Sequence, residues 1–135
     1  MSSLKQIKLS EKSAVRQQQL VSELNSLVND IGRCEKTITE LQRELGEVNT
    51  KYPKQRTTRE DIAYLTDLLK CANKKLAWEK NIASLQKRTP VLLEEMSRSM
   101  NDPQNPPSDQ TRSEMLRSLH ALQAAMEQLQ NVKPV

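Results

Sequence analysis

LVSELNSLVNDIGRCEKTITELQRELGEVNTKY, residues 20–52, is the stretch whose reading decides the fold. Leu20, Leu24, Leu27, Ile31, Cys34, Ile38, Leu41, Leu45, Val48 and Tyr52 recur at alternating spacings of four and three without a break. A helix patterned every ~3.5 residues keeps one row of side chains against a neighbouring helix along a left-handed supercoil. With Leu24 at heptad position a, Gly32 and Gly46 fall at outward b positions, where they weaken the helix without disturbing the seam.

Working outward, Pro53 stops this first helix, because proline lacks an amide donor and biases the preceding residue away from helical angles. Thr57, Thr58, Arg59 and Glu60 then read as a capping box opening a second helix. That helix carries two apolar stripes. One is Ile62, Leu65, Leu69, Ala72 and Leu76; the other is Leu68, Cys71, Trp78, Ile82, Leu85, Leu92 and Met96. Two stripes on one helix predict two neighbours, as in a bundle. Thr89 and Pro90 mark either a break or a kink, and the second stripe stays in phase across them, which favours the kink. Residues 101–110 hold three prolines and form a linker. A capping box at Thr111 and Glu114 opens a last helix with Met115, Leu119, Leu122, Met126 and Leu129 on one face, ended by Lys133 and Pro134.

The expected architecture is therefore all-α. A polar segment, 1–9, precedes a helical hairpin over 10–100, with coiled-coil helices at about 10–52 and 57–100. The Pro-rich linker 101–110 and a C-terminal amphipathic helix over 111–133 follow. In-register parallel pairing of the seam puts no attractive charge pair at its g and e positions and sets Asp30 against Glu35. Matched helix lengths and a short Pro-containing loop favour folding back into an antiparallel hairpin or elongated bundle.

Composition agrees. The chain has 135 residues, 36% of them hydrophobic and 28% charged, and contains no Phe, as expected for long helices rather than a compact mixed core. Net charge is +4, with the basic excess concentrated in residues 51–88. Lys51, Lys54, Arg56, Arg59, Lys70 and Lys74 form a candidate basic patch there, able to attract an acidic surface. No apolar run is long enough for a signal peptide or a membrane span. Cys34 and Cys71 do not form a Cys-x-x-Cys pair, and two unpaired thiols suit a reducing compartment, the cytoplasm or else the nucleus.

Residues with chemical capability do not converge in the pattern. His120 is the sole histidine and lies beside the apolar face of the last helix. Cys34 occupies a seam position where a small thiol packs well. Glu40, Glu44 and Glu47 share a solvated flank, and no Gly-rich loop or metal-ligand spacing occurs. These features predict no enzyme, no cofactor and no metal. The expected function is a protein–protein interaction subunit, scaffold or adaptor of an intracellular assembly of cytoskeletal, centrosomal, kinetochore or trafficking type. It would work by helix packing with a protein partner or with itself, as a hetero- or homo-oligomer. Its working surface is expected at the 20–52 seam and the second stripe. The alternative is a basic helical module docking on a polyanion, either nucleic acid or acidic protein tails. Nucleic acid is disfavoured because stacking aromatics and reading motifs are missing.

Overall fold

The computed structural model describes residues 2–132, with side chains from Glu11 onward. Among the described residues there are three helices, α1 (Ser2–Lys51), α2 (Thr58–Met100) and α3 (Asp109–Gln130), and no strand. α1 starts at Ser2 rather than near residue 10. Residues 2–9 contain neither Gly nor Pro, so each extends an existing helix at little cost once the nucleus stands. Met1, Lys133 and Pro134 lie outside the described residues.

The helix ends follow local chemistry. α1 stops at Lys51, two residues before Pro53. Thr57 caps α2 through its hydroxyl, which accepts from the Glu60 amide, while the Glu60 carboxylate accepts from the Thr57 amide, 3.2 Å in each case. Asp61 adds negative charge to the first turn, where the helix dipole favours it. Pro90 does not end α2, which runs through it to Met100. Pro90 and Gln86, the residue whose carbonyl it leaves without a helical donor, are both exposed, and the buried Thr89 hydroxyl donates to the Leu85 carbonyl at 2.7 Å.

α3 begins earlier than expected. Ser108, extended at φ −61 and ψ 161 after two prolines, is the N-cap, and its hydroxyl accepts from the Thr111 amide at 3.2 Å. Thr111 is therefore inside the helix, and the expected Thr111–Glu114 box does not form. The inward row of α3 is Thr111, Met115, Ser118, Leu122 and Ala125. Leu119 and Leu129 are only half-buried and Met126 is exposed, so the buried face is rotated from the expected row toward small residues. Ser118 and Ala125 lack bulk and let the α3 backbone approach α1, which a row of long side chains would hold off.

Contact registers give the topology. Between α1 and α2, Glu44 meets Lys74, Asp30 meets Arg88 and Arg16 meets Glu95, so numbering falls on one helix as it rises on the other. The two helices are antiparallel. Between α1 and α3, Gln18 meets Thr111 and Asn25 meets Ser118 with the same offset of 93 residues, so these two run parallel. α3 packs chiefly on α1 and barely touches α2 along the backbone. The lower part of the molecule is therefore a three-helix bundle, and the part nearest the 52–57 turn is a two-helix stem.

The main core joins Leu20, Leu24, Leu27 and Ile31 of α1 to Leu85, Leu92 and Met96 of α2 and Met115 and Leu122 of α3. A smaller cluster higher up joins Ile38, Leu41 and Cys71, with Val132 closing its edge. Fully burying a leucine is worth about 1.5–3 kcal/mol, so the lower core dominates stability. Gln17, 5% exposed, donates from Nε2 to the Asn105 carbonyl at 3.0 Å and ties the Pro-rich linker to α1.

Leu24 is 0% exposed whereas Leu69, on α2, is 60% exposed. Leu24→Ala is expected to cost about 2–5 kcal/mol in chemical denaturation, against about 0.5 kcal/mol or less for Leu69→Ala. Similar losses at the two positions would contradict this arrangement.

Candidate interaction surface

The seam folds inward within the chain. Leu20, Leu24, Leu27, Ile31, Cys34, Ile38 and Leu41 are buried, and Leu45, Val48 and Tyr52 are half-buried as the bundle thins toward the turn. The second stripe of α2 meets it: Cys71, Leu85, Leu92 and Met96 are buried, and Leu68, Trp78 and Ile82 are half-buried. Trp78 adds direction, its Nε1–H donating to the Cys34 carbonyl at 2.8 Å. The seam and the second stripe, expected as the surface offered to a partner, face one another within this chain. Each is largely covered by the other, because antiparallel closure satisfies both rows at once.

What remains open is the first stripe of α2. Ile62 is 61% exposed, Leu65 56%, Leu69 60% and Leu76 52%, with Ala72 exposed between them. Leu69 and Leu76 stand two residues before the inward Cys71 and Trp78, which at ~3.6 residues per turn places them on the opposite side of the helix. α2 is thus apolar on both faces in the stem, and α1 covers one of them. The next positions of the same outward row are Glu79 and Ala83, both exposed, so the row of large apolar side chains ends at Leu76.

The basic patch is dispersed by its own carboxylates. Lys51 lies 3.6 Å from Asp67, Arg56 is 3.0 Å from Asp61, and Lys74 is 2.7 Å from Glu44. The Glu44 bond raises the pKa of Lys74, and Lys70 adds to the positive field on Asp67. Lys54 and Arg59 remain exposed without an ion pair among the described residues. The patch therefore does not converge into one unpaired basic surface.

Instead, part of it builds the hairpin tip. Tyr52 and Tyr64 pack edge to face at 5.6 Å, and the Arg56 guanidinium sits 4.1 Å from the Tyr64 ring centre. Tyr52 donates to Asp67 at 2.6 Å, and Tyr64 donates to Asn49 at 3.2 Å. The Tyr52 hydrogen bond, aided by Lys51 and Lys70, holds Asp67 below the usual carboxylate range. Lower in the hairpin, Asp30 is likewise lowered, first by Arg33 and then by Arg88. Neither the tip nor the Arg16–Glu95 pair was visible in residue spacing alone, since the partners lie on different helices or across the turn; Arg16 and Glu23 stand two turns apart on α1 itself.

Groups with nucleophilic or ligating capability are scattered. Cys34 and Cys71 are free thiols, each 7% exposed, and burial raises the pKa of Cys34. His120 is exposed on α3. A shallow cleft beside Cys34 is lined by Asp30, Arg33, Trp78 and Arg88, whose charges pair with one another. Among the described residues no cluster of three His, Cys, Asp or Glu side chains is placed to hold a metal ion. No described helix is long and apolar enough to cross a membrane. No protein-family model, curated protein or solved structure matches the chain.

Two outcomes are expected. Alkylation of Cys34 and Cys71 should proceed about tenfold or more slowly in the native protein than in denaturant, because both sulfurs are buried away from the reagent. Asp30 and Asp67 have folded pKa values below their unfolded ones, so their contribution is present at neutral pH and lost as pH falls through the carboxylate range. Thermal melts on acidification should show this loss, and Asp67→Asn should reduce it; an unchanged acid profile would count against the Tyr52–Asp67 contact.

Proposed function

We propose that the chain is a non-catalytic helical interaction subunit or adaptor of an intracellular assembly, working by packing a helix of another chain along the stem. The observation that carries this reading is the outward stripe Ile62, Leu65, Leu69 and Leu76, which no part of the described chain covers. Soluble proteins scatter single apolar side chains over their surfaces, but a contiguous row at helix-packing spacing marks an interaction site. Withdrawing four half-exposed aliphatic side chains from water is worth about 1 kcal/mol each. The two-helix stem, with only the small Ile38, Leu41 and Cys71 cluster inside it, also gains most from a third helix. Buried thiols and helix-rich composition suit the cytoplasm or nucleus.

The polyanion reading draws less support, since Lys51, Arg56 and Lys74 are engaged by the chain's own carboxylates.

The test is the native mass of the tagged full chain recovered at physiological salt from the cell that makes it. The wild-type chain is expected in a species of defined stoichiometry, larger than its own 15.5 kDa. Leu65→Gln with Leu69→Gln should keep the circular dichroism of the folded protein and emerge as the monomer. Recovery of wild type as a monomer, or an unchanged assembly in the double variant, would sink the reading.

A further inference from the structure

We propose that the outward stripe of α2 receives one amphipathic helix from a different protein, with acidic residues flanking that helix's apolar row. This rests on the stripe being an interaction surface and adds the chemistry of its occupant. Ile62, Leu65, Leu69, Ala72 and Leu76 occupy alternating a and d positions over residues 62–76, which span ~21 Å at 1.5 Å per residue. Two heptads of a partner helix match that length, and a third carries it over Arg59 and Lys80 at the two ends. The stripe lies directly opposite α1, so a helix laid on it contacts α2 alone and meets no steric competition from α3, which packs on α1.

The charges beside the stripe choose the partner. The e positions along this register are Arg59, Thr66, Asn73, Lys80 and Lys87, all exposed, with three bases and no acid. On the g side Asp61 is already engaged by Arg56 at 3.0 Å. A helix of three heptads packed over the stripe sets its own flanking residues against Arg59 and Lys80 at the two ends, where Glu or Asp gains and Lys or Arg is repelled.

The same flank argues against a second copy of this chain. An antiparallel pair centred on Leu69 faces Arg59 of one copy with Lys80 of the other, twice. A parallel in-register pair sets no carboxylate against Arg59, Lys80 or Lys87. Apolar spacing supplies the attraction in every case, and the basic e flank discriminates between partners by repulsion.

The probes are two synthetic peptides of three heptads, both with Leu at a and d, one with Glu and the other with Lys at every e and g. Each is titrated into the full chain at ~0.1 M salt and followed by fluorescence anisotropy. The Glu peptide should bind about tenfold or more tightly than the Lys peptide, with the difference shrinking at ~1 M salt. Arg59→Glu, Lys80→Glu and Lys87→Glu together should reverse the preference. Leu65→Gln with Leu69→Gln should abolish binding of both peptides while leaving helical content intact. Equal affinities that still disappear in the leucine variant would leave the stripe standing and overturn its acidic partner. Glu-peptide binding that survives the leucine variant would move the site off the stripe and overturn both readings. A wild-type dimer that dissociates in the leucine variant would assign the stripe to a second copy, overturning the present inference but not the interaction role.

Discussion

Closure of one α1 row against α2 organises everything else in the molecule. Leu20, Leu24, Leu27 and Ile31 lie in one cluster with Leu85, Leu92 and Met96, and that contact fixes how the hairpin folds back. Because the α1 row advances at heptad spacing, it stays on one face for the full length of the described core. α2 has to present a matching row, and the antiparallel direction set by the 52–57 turn brings Cys71 into one cluster with Ile38 and Leu41 and Met96 into another with Leu20 and Leu24. α3 then completes the lower core from the side of α1.

Polar contacts in this bundle specify register more than they add stability. Exposed ion pairs such as Arg43–Glu47 are worth about 0–1 kcal/mol each. Partly buried, directional bonds discriminate better: Trp78 to the Cys34 carbonyl, Ser118 to Asn25, and Gln17 to the Asn105 carbonyl. A one-residue slip of either helix pair would rotate these donors away from their acceptors and leave groups in the interior unsatisfied. That penalty, of about 1–3 kcal/mol per buried group, is large beside the small preference of an apolar seam for one register over another. Among the described residues no buried side-chain nitrogen or oxygen lacks a partner, consistent with a single register.

The unequal lengths of the helices make the two ends of the bundle unlike. α3 has 22 residues against 50 in α1, so it can accompany only part of the hairpin. Where it is present, the core has three contributors; above it, the stem has two helices and a small apolar interior. The outward apolar stripe of α2 falls on that stem. Below Leu76 the outward row passes to Glu79 and Ala83, with Lys80 and Lys87 on its flank, so α2 changes from two-faced to one-faced close to where the main three-helix core begins. The positive charge concentrated in residues 51–88 is likewise divided. Part is held against Asp61, Asp67 and Glu44, and part lines the exposed e flank of the stripe.

The amino-acid sequence by itself determined the helical class, the alternating row on α1, the stop before Pro53, the Thr57 capping box, the break in the Pro-rich linker and the existence of two stripes on α2. Each depends on the spacing or chemistry of neighbouring residues, which is legible along one dimension. Only the tertiary structure decided which α2 stripe faces α1. Both stripes suit helix packing, and the choice turns on the direction in which the chain leaves the tip and on contacts such as Trp78 with Cys34, far apart in sequence. It also decided that Ser108 rather than Thr111 caps α3, and that Ser118 and Ala125 face inward while Met126 does not. Small residues carry no hydrophobic signal of their own; their value is the close approach they permit, and that appears only when a second helix is present.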